Sequence, residues 1–220
     1  MKVLNYDELD IVGFAGVRER ILVMDSRVFG YHRREDTWQG YGQLTYLAHA
    51  YLKPGGSTGR HSHSDVDIVS IVTRGQVRHE GSVGDVREIY AGQVMVQRSG
   101  GTGFMHNEIN PDDDITGMVQ LWLAPGKHVA DHASQTVLTP QPGTTFVYQG
   151  LDTSVELHWL AMGEQRMSPD AGLGYVFEGE LICGDQALPR GTLFQLEGSN
   201  LSVRSDEAKF LIIRSCMEGL

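Results

Sequence analysis

Helical periodicity is scarce along this chain. Short apolar runs rich in β-branched residues dominate, each closed by Gly, Asp or Pro. Ile68-Val69-Ser70-Ile71-Val72-Thr73 is followed by Arg74-Gly75 and then by Gln76-Val77-Arg78-His79. That order reads as strand, tight turn, strand. Gly84-Asp85 marks a further turn, and Gly92 to Gln97 a further strand. Several short strands at this spacing predict an all-β sandwich or barrel.

The second half repeats the theme. Gly174 to Leu181 resembles the strand-turn-strand around Gly75, and Gly191 to Leu196 resembles the run after Gly92. This suggests an internal duplication. The stretch from Pro125 to Gly143 carries Pro140 and Pro142 and reads as a linker. The expected domains are therefore residues 1–135 and 136–220.

At 220 residues, with 40% apolar and 21% charged side chains, the chain has the balance of a globular protein with a sizeable core. A net charge of −10, with no basic run longer than Arg33-Arg34, argues against direct contact with nucleic acid. An anionic membrane surface is disfavoured for the same reason. Only two cysteines are present, Cys183 and Cys216, too few for a disulfide framework. A reducing cytoplasm is the expected location. The first residues turn acidic before any apolar run develops, unlike a signal peptide. No stretch approaches the roughly 18 apolar residues of a membrane helix.

The candidate chemistry lies in two short motifs, His61-Ser62-His63 and His106-Asn107-Glu108. Residues i and i+2 of a strand share a face. Each motif thus aims two ligand-type side chains the same way. If the two strands lie on facing sheets of one barrel, three imidazoles and a carboxylate converge. That set suits iron, manganese, nickel, copper or zinc and leaves coordination positions open. Among nine histidines some pairs at i, i+2 arise by chance, and Asp67 offers a second carboxylate. The glycines around both motifs give the pattern more weight: Gly55, Gly75, Gly92 and Gly100-Gly101-Thr102-Gly103, with Asn110 four residues beyond His106. His49, His128, His132 and His158 read as structural or surface residues, and His79 as an exposed strand residue. Trp38, Trp122 and Trp159 read as core. No phosphate-binding loop, nucleophile elbow or dinucleotide fingerprint is present.

These motifs resemble the two signature motifs of the cupin superfamily. Within it, RHSHSDVDIVSIVTRGQVRHEGSVGD (60–85), SGGTGFMHNEINPDD (99–113) and QLWLAPG (120–126) are similar to segments of the pirin family. The resemblance is clear over about residues 40–126. It implies a bicupin, two tandem jelly-roll-like β-barrel domains, with metal in the N-terminal one alone. It implies His61, His63, His106 and Glu108 as ligands, with Glu108 preferred to Asp67 as the carboxylate and also a candidate catalytic base. It implies a divalent transition metal, with Fe(II) the first expectation and Zn, Mn, Ni, Cu or Co as alternatives. His79 matches a histidine common in pirins, and a place near the pocket mouth is the expectation for it beside the exposed-strand reading. The activity implied is that of a quercetin 2,3-dioxygenase, an oxidoreductase acting on a small flavonol-like aromatic with dioxygen. The alternative is a metal-containing regulatory protein that works through a protein partner. A monomer is the default expectation. Ser62 and Ser64-Asp65-Val66-Asp67 depart from the usual Pro and Arg-Gly-Phe-Glu of the family, which alters the wall around the ligands.

Overall fold

Each run read above as a strand is one in the computed structural model, which describes residues 1–126, 130–168 and 170–216. Among the described residues helix is confined to single turns such as Ser26–Phe29, capped by the Asp25 carboxylate, which accepts from the Arg27 N–H. The architecture is the expected all-β bicupin. Its strands fall into two compact units, residues 10–139 and residues 140–220 together with 1–9.

The unit of residues 10–139 has two sheets. The larger runs Ser134–Leu138, Val94–Arg98, Asp67–Arg74, Thr116–Leu123, Leu44–Leu52 and Val17–Met24, all antiparallel. The smaller runs His61–His63, Phe104–Ile109, Gln76–Gly81 and Arg87–Tyr90. Val77 and Ile89 of the small sheet join Val17, Leu52, Val72, Met95 and Met118 of the large one in a single core. Burying such a side chain is worth roughly 1.5–3 kcal/mol, so this core holds the small sheet in place. Gly75 makes the turn between Arg74 and Gln76 at φ 70°, a left-handed conformation that favours glycine.

The stretch expected to be a linker contains a strand of the sheet. Ser134–Leu138 pairs with Val94–Arg98 and completes the large sheet. Its polar side chains reflect an edge strand, exposed on one side. Residues 127–129 of that stretch, including His128, lie outside the described residues.

The other unit repeats the plan. Its six-stranded sheet runs Val3–Asn5, Thr192–Leu196, Gly172–Glu178, Glu207–Ser215, Thr153–Ala161 and Gly143–Gln149. Its four-stranded sheet runs Gln165–Ser168, Ser199–Val203, Glu180–Cys183 and Gln186–Pro189. Residues 1–9, grouped with the first half on sequence, belong here. Val3–Asn5 pairs with Thr192–Phe194, and the Asn5 side chain donates to the Arg190 carbonyl and the Thr192 hydroxyl.

Candidate metal centre

The two histidine motifs are hydrogen-bonded neighbours within the four-stranded sheet of residues 10–139. They do not lie on facing sheets. His61 stands directly opposite His106, and His63 opposite Phe104. Directly opposed residues of an antiparallel pair share a face, so either arrangement satisfies the i, i+2 spacing. Gly103 lets the preceding turn close against this strand: a Cβ there would sit 2.6 Å from the His63 carbonyl oxygen. Asn110, fully buried, ties down the far end by donating to the carbonyls of Leu52, Lys53 and Asp114.

His61, His63 and His106 each bring one ligand atom within 4.8 Å of the others. The atoms that meet are Nε2 atoms. His106 Nε2 is 3.1 Å from His61 Nε2 and 3.1 Å from His63 Nε2. Their tautomers follow from the other ring nitrogens. His61 Nδ1 lies 2.8 Å from the Gly59 carbonyl and donates to it. His106 Nδ1 lies 2.9 Å from Gln97 Oε1 and donates to it. Both Nε2 atoms therefore present lone pairs to each other, an arrangement that repels unless a cation accepts them. A metal about 2.1 Å from two nitrogens at a right angle separates them by about 3.0 Å. The donor set thus fits a divalent metal. Burial is the main cause, and the neighbouring imidazoles a lesser one, that holds His63 and His106 down to a pKa of about 3, which keeps them as neutral ligands.

Glu108 lies on the same face as His106 and is buried. It is not one of the three clustered groups. Ser70 donates to its Oε1 at 3.1 Å, and Gln120 Nε2 lies 3.2 Å from Oε1 and 3.1 Å from Oε2. A carboxylate has roughly four lone-pair directions, so these contacts leave capacity for one more partner. Burial raises its pKa; His79, Ser70 and Gln120 oppose that rise. Asp67 accepts from the Ser99 N–H at 2.9 Å and from Arg98 at 3.4 Å, so it braces the turn that leads into the second motif.

One expectation is corrected and one refined. His79 is not an exposed strand residue but is buried directly opposite Glu108, because the Gln76–Gly81 strand lies against Phe104–Ile109. Its Nε2 is 3.1 Å from the same Gln97 oxygen that takes the His106 proton. Trp122 packs against the core cluster of Ile21, Met24, Tyr46 and Ala48, and it is also partly exposed and edge-on to His63 at 5.4 Å between ring centroids. Tyr46, at 4.7 Å from Trp122, and Phe29 extend an aromatic wall beside the imidazoles. A hydrogen-bond chain links wall to carboxylate: Trp122 Nε1 donates to Gln120 Oε1, and Gln120 Nε2 to Glu108. Of the remaining histidines, His49 and His158 are buried and His132 is exposed.

Gln97, Gln120 and Ser70 escape sequence reading, since a lone amide or hydroxyl on a strand carries no spacing signal. Gln97→Leu is expected to weaken metal binding about 10–100-fold, the usual cost of losing the partner that orients a ligating imidazole. It removes the oxygen that the His106 N–H donates to and that His79 Nε2 also approaches. Competition against a chromophoric chelator measures this, with the melting temperature reporting whether the fold survives.

The positions of the second unit that correspond to this cluster carry other side chains. Matching the turn glycines Gly75 and Gly179 aligns His79 with Cys183. The ladders then align Glu108 with Leu201 and His106 with Ser199. No imidazole occupies these positions.

Comparison with known proteins agrees with this geometry. The Pirin family model matches residues 26–123. The quercetin 2,3-dioxygenase of Escherichia coli is 29% identical over 92 residues, 41% of this chain and 39% of that protein. A Zymomonas mobilis protein provisionally given the same name is 37% identical over 76 residues, 34% of this chain and 32% of its own. The alignments thus span well under half of these relatives. The crystal structure of a bacterial pirin from Escherichia coli in complex with nickel(II) superimposes over 97% of this chain and 98% of that one, with a TM-score of 0.83 at 17% identity. The segment that matches the Pirin family model, residues 26–123, carries all three clustered histidines.

Proposed function

We propose that the protein is a metal-dependent dioxygenase acting on a flavonol-like aromatic. The observation that carries this reading is the meeting of three Nε2 atoms, two of them with lone pairs facing each other, beside an aromatic wall. His61, His63 and His106 hold the metal in this reading, and Glu108 is its fourth ligand. Fe(II) is the metal proposed, because imidazole-carboxylate sets with open positions are the setting of non-haem iron oxygenases. Bound there, such a metal supplies the electron chemistry that joins dioxygen to an electron-rich substrate.

The chain's own residues do the rest. Trp122, backed by the buried Tyr46, offers a partly exposed ring against which an aromatic substrate stacks, in an offset or edge-on contact worth about 0.5–1.5 kcal/mol. In this reading Glu108 also takes the proton of a substrate hydroxyl once its carboxylate leaves the metal, and Gln120 and Ser70 steady the carboxylate while it does so. The dioxygenase name carried by the Escherichia coli relative supports the substrate class.

The test is oxygen uptake. Protein loaded with one Fe(II) per chain is expected to consume one dioxygen per quercetin, and chelator-treated protein none. If fully metallated protein takes up no oxygen with quercetin or related flavonols, the dioxygenase reading fails. A regulatory metal protein then takes its place.

A further inference from the structure

We propose that Gln120 is a positioning residue that competes with the metal for Glu108. The inference rests on the reading of Glu108 as the fourth ligand and states how firmly that ligand is held.

Glu108 is held from across the barrel. His61, His63, His106 and Glu108 all stand on two paired strands of the small sheet. The groups that touch the Glu108 carboxylate come from the large one. Ser70 and Gln120 are directly opposed on Asp67–Arg74 and Thr116–Leu123, so they share a face. Met118, two residues before Gln120 and on that same face, belongs to the core. An amide at such a position costs free energy unless its hydrogen bonds are made.

They are made, and both ends of the amide are fixed. Gln120 Oε1 accepts from the Trp122 Nε1–H at 3.0 Å. That leaves the NH₂ to face the carboxylate. Its nitrogen lies 3.1 Å from Ser70 Oγ, 3.2 Å from Glu108 Oε1 and 3.1 Å from Glu108 Oε2. The Ser70 hydroxyl in turn donates to Oε1 at 3.1 Å. The amide nitrogen is almost equidistant from the two carboxylate oxygens and so straddles them.

This differs in kind from the support given to the imidazoles. The Gly59 carbonyl and Gln97 hold His61 and His106 by Nδ1, the nitrogen remote from the cluster, and leave Nε2 open. Partners of that sort favour metal binding, and their loss weakens it about 10–100-fold. Gln120 instead holds Glu108 by the oxygens that would bind. Its donors and a cation draw on the same lone pairs. A metal gains this ligand only by breaking or sharing hydrogen bonds to a charged group, each contributing about 10–100-fold in an equilibrium constant. Glu108 correspondingly stands outside the cluster that the three imidazoles form. The protein holds this ligand back, and Gln120 sets how far. Removing Gln120 should therefore act on metal affinity with the opposite sign to removing Gln97.

The test is a double-mutant cycle read by metal affinity. Zn(II) is added to the full chain, freed of metal beforehand, in competition with a chromophoric chelator. Gln120→Met keeps the length of the side chain and removes both donors. It is expected to bind zinc about tenfold or more tightly than the wild type, the worth of one hydrogen bond to a carboxylate. Glu108→Gln is expected to cost less than about tenfold in the wild type but about a hundredfold or more beside Gln120→Met, where the carboxylate is free to bind. A side chain that merely supports the fold would weaken zinc binding alike in both backgrounds. Should Gln120→Met misfold, as its melting temperature reports, Ser70→Ala takes its place with the same expected sign. The proposal is overturned if the substitution weakens zinc binding or leaves it unchanged. It is also overturned if Glu108→Gln costs the same with and without the substitution. Turnover enters none of these outcomes: absence of oxygen uptake removes the dioxygenase reading and leaves this one standing.

Discussion

Replacing His106 by Ala is expected to abolish stoichiometric metal binding while leaving the fold in place. His106 Nε2 is the nitrogen that faces both of the others, at 3.1 Å from each. Without it, His61 and His63 retain only the geometry of a two-residue motif. The loss should exceed the 10–100-fold typical of supporting residues, because a direct bond to the metal disappears. A second readout separates this from general damage. Metal at about a hundred times its dissociation constant stabilises the wild-type protein by about 2.7 kcal/mol, which appears as a raised melting temperature. His106→Ala should show no such rise. Its metal-free form gains something in exchange, since two facing lone pairs are no longer held together. Unchanged metal content in this variant and in His63→Ala would remove the site from consideration.

Glu108→Gln is expected to cost turnover far more than stability. The amide is a poor ligand and a poor base, and loss of a positioned base costs about 10²–10⁴-fold. The local hydrogen bonds also change. Gln120 keeps its oxygen on Trp122 Nε1, so its NH₂ must face residue 108, and an amide there offers one oxygen where a carboxylate offers two. Asp67→Asn should matter less. The oxygen that accepts from the Ser99 N–H survives in an amide, so the turn before the second motif keeps its brace. Oxygen uptake, metal content and melting temperature measured on both variants decide the order. If Asp67→Asn proves the more damaging to turnover, Asp67 is the carboxylate that works with the metal.

The strands were legible because their signals are local. Gly75 and Gly179 sit at left-handed turns, φ 70° and 74°, between β-branched runs, and a reader of sequence sees both glycine and run. The three clustered histidines were legible for the same reason: i, i+2 spacing survives any arrangement of sheets. What failed depended on register between distant strands. Whether His61 and His106 share a sheet or face across one cannot be told from either motif. His79 looks like any polar strand residue until Gln76–Gly81 is laid against Phe104–Ile109. Trp122 reads as core by its apolar ring, and its packing against the core agrees, but its contact with His63 is set by the fold. Ser134–Leu138 was hidden by its polar, edge-strand composition between prolines. Val3–Asn5 is three residues long, and its partner lies nearly the whole chain away.

That last pairing sets the order in which the protein assembles on the ribosome. The barrel of residues 10–139 has all its strands once Leu138 has emerged, and it is free to close while synthesis continues. Val3–Asn5 is made before any of them, yet its partner strand, Thr192–Leu196, is made only after all of them. At about 5–20 residues per second, Val3–Asn5 waits while every residue between is added, its backbone donors and acceptors open to whatever edge comes near.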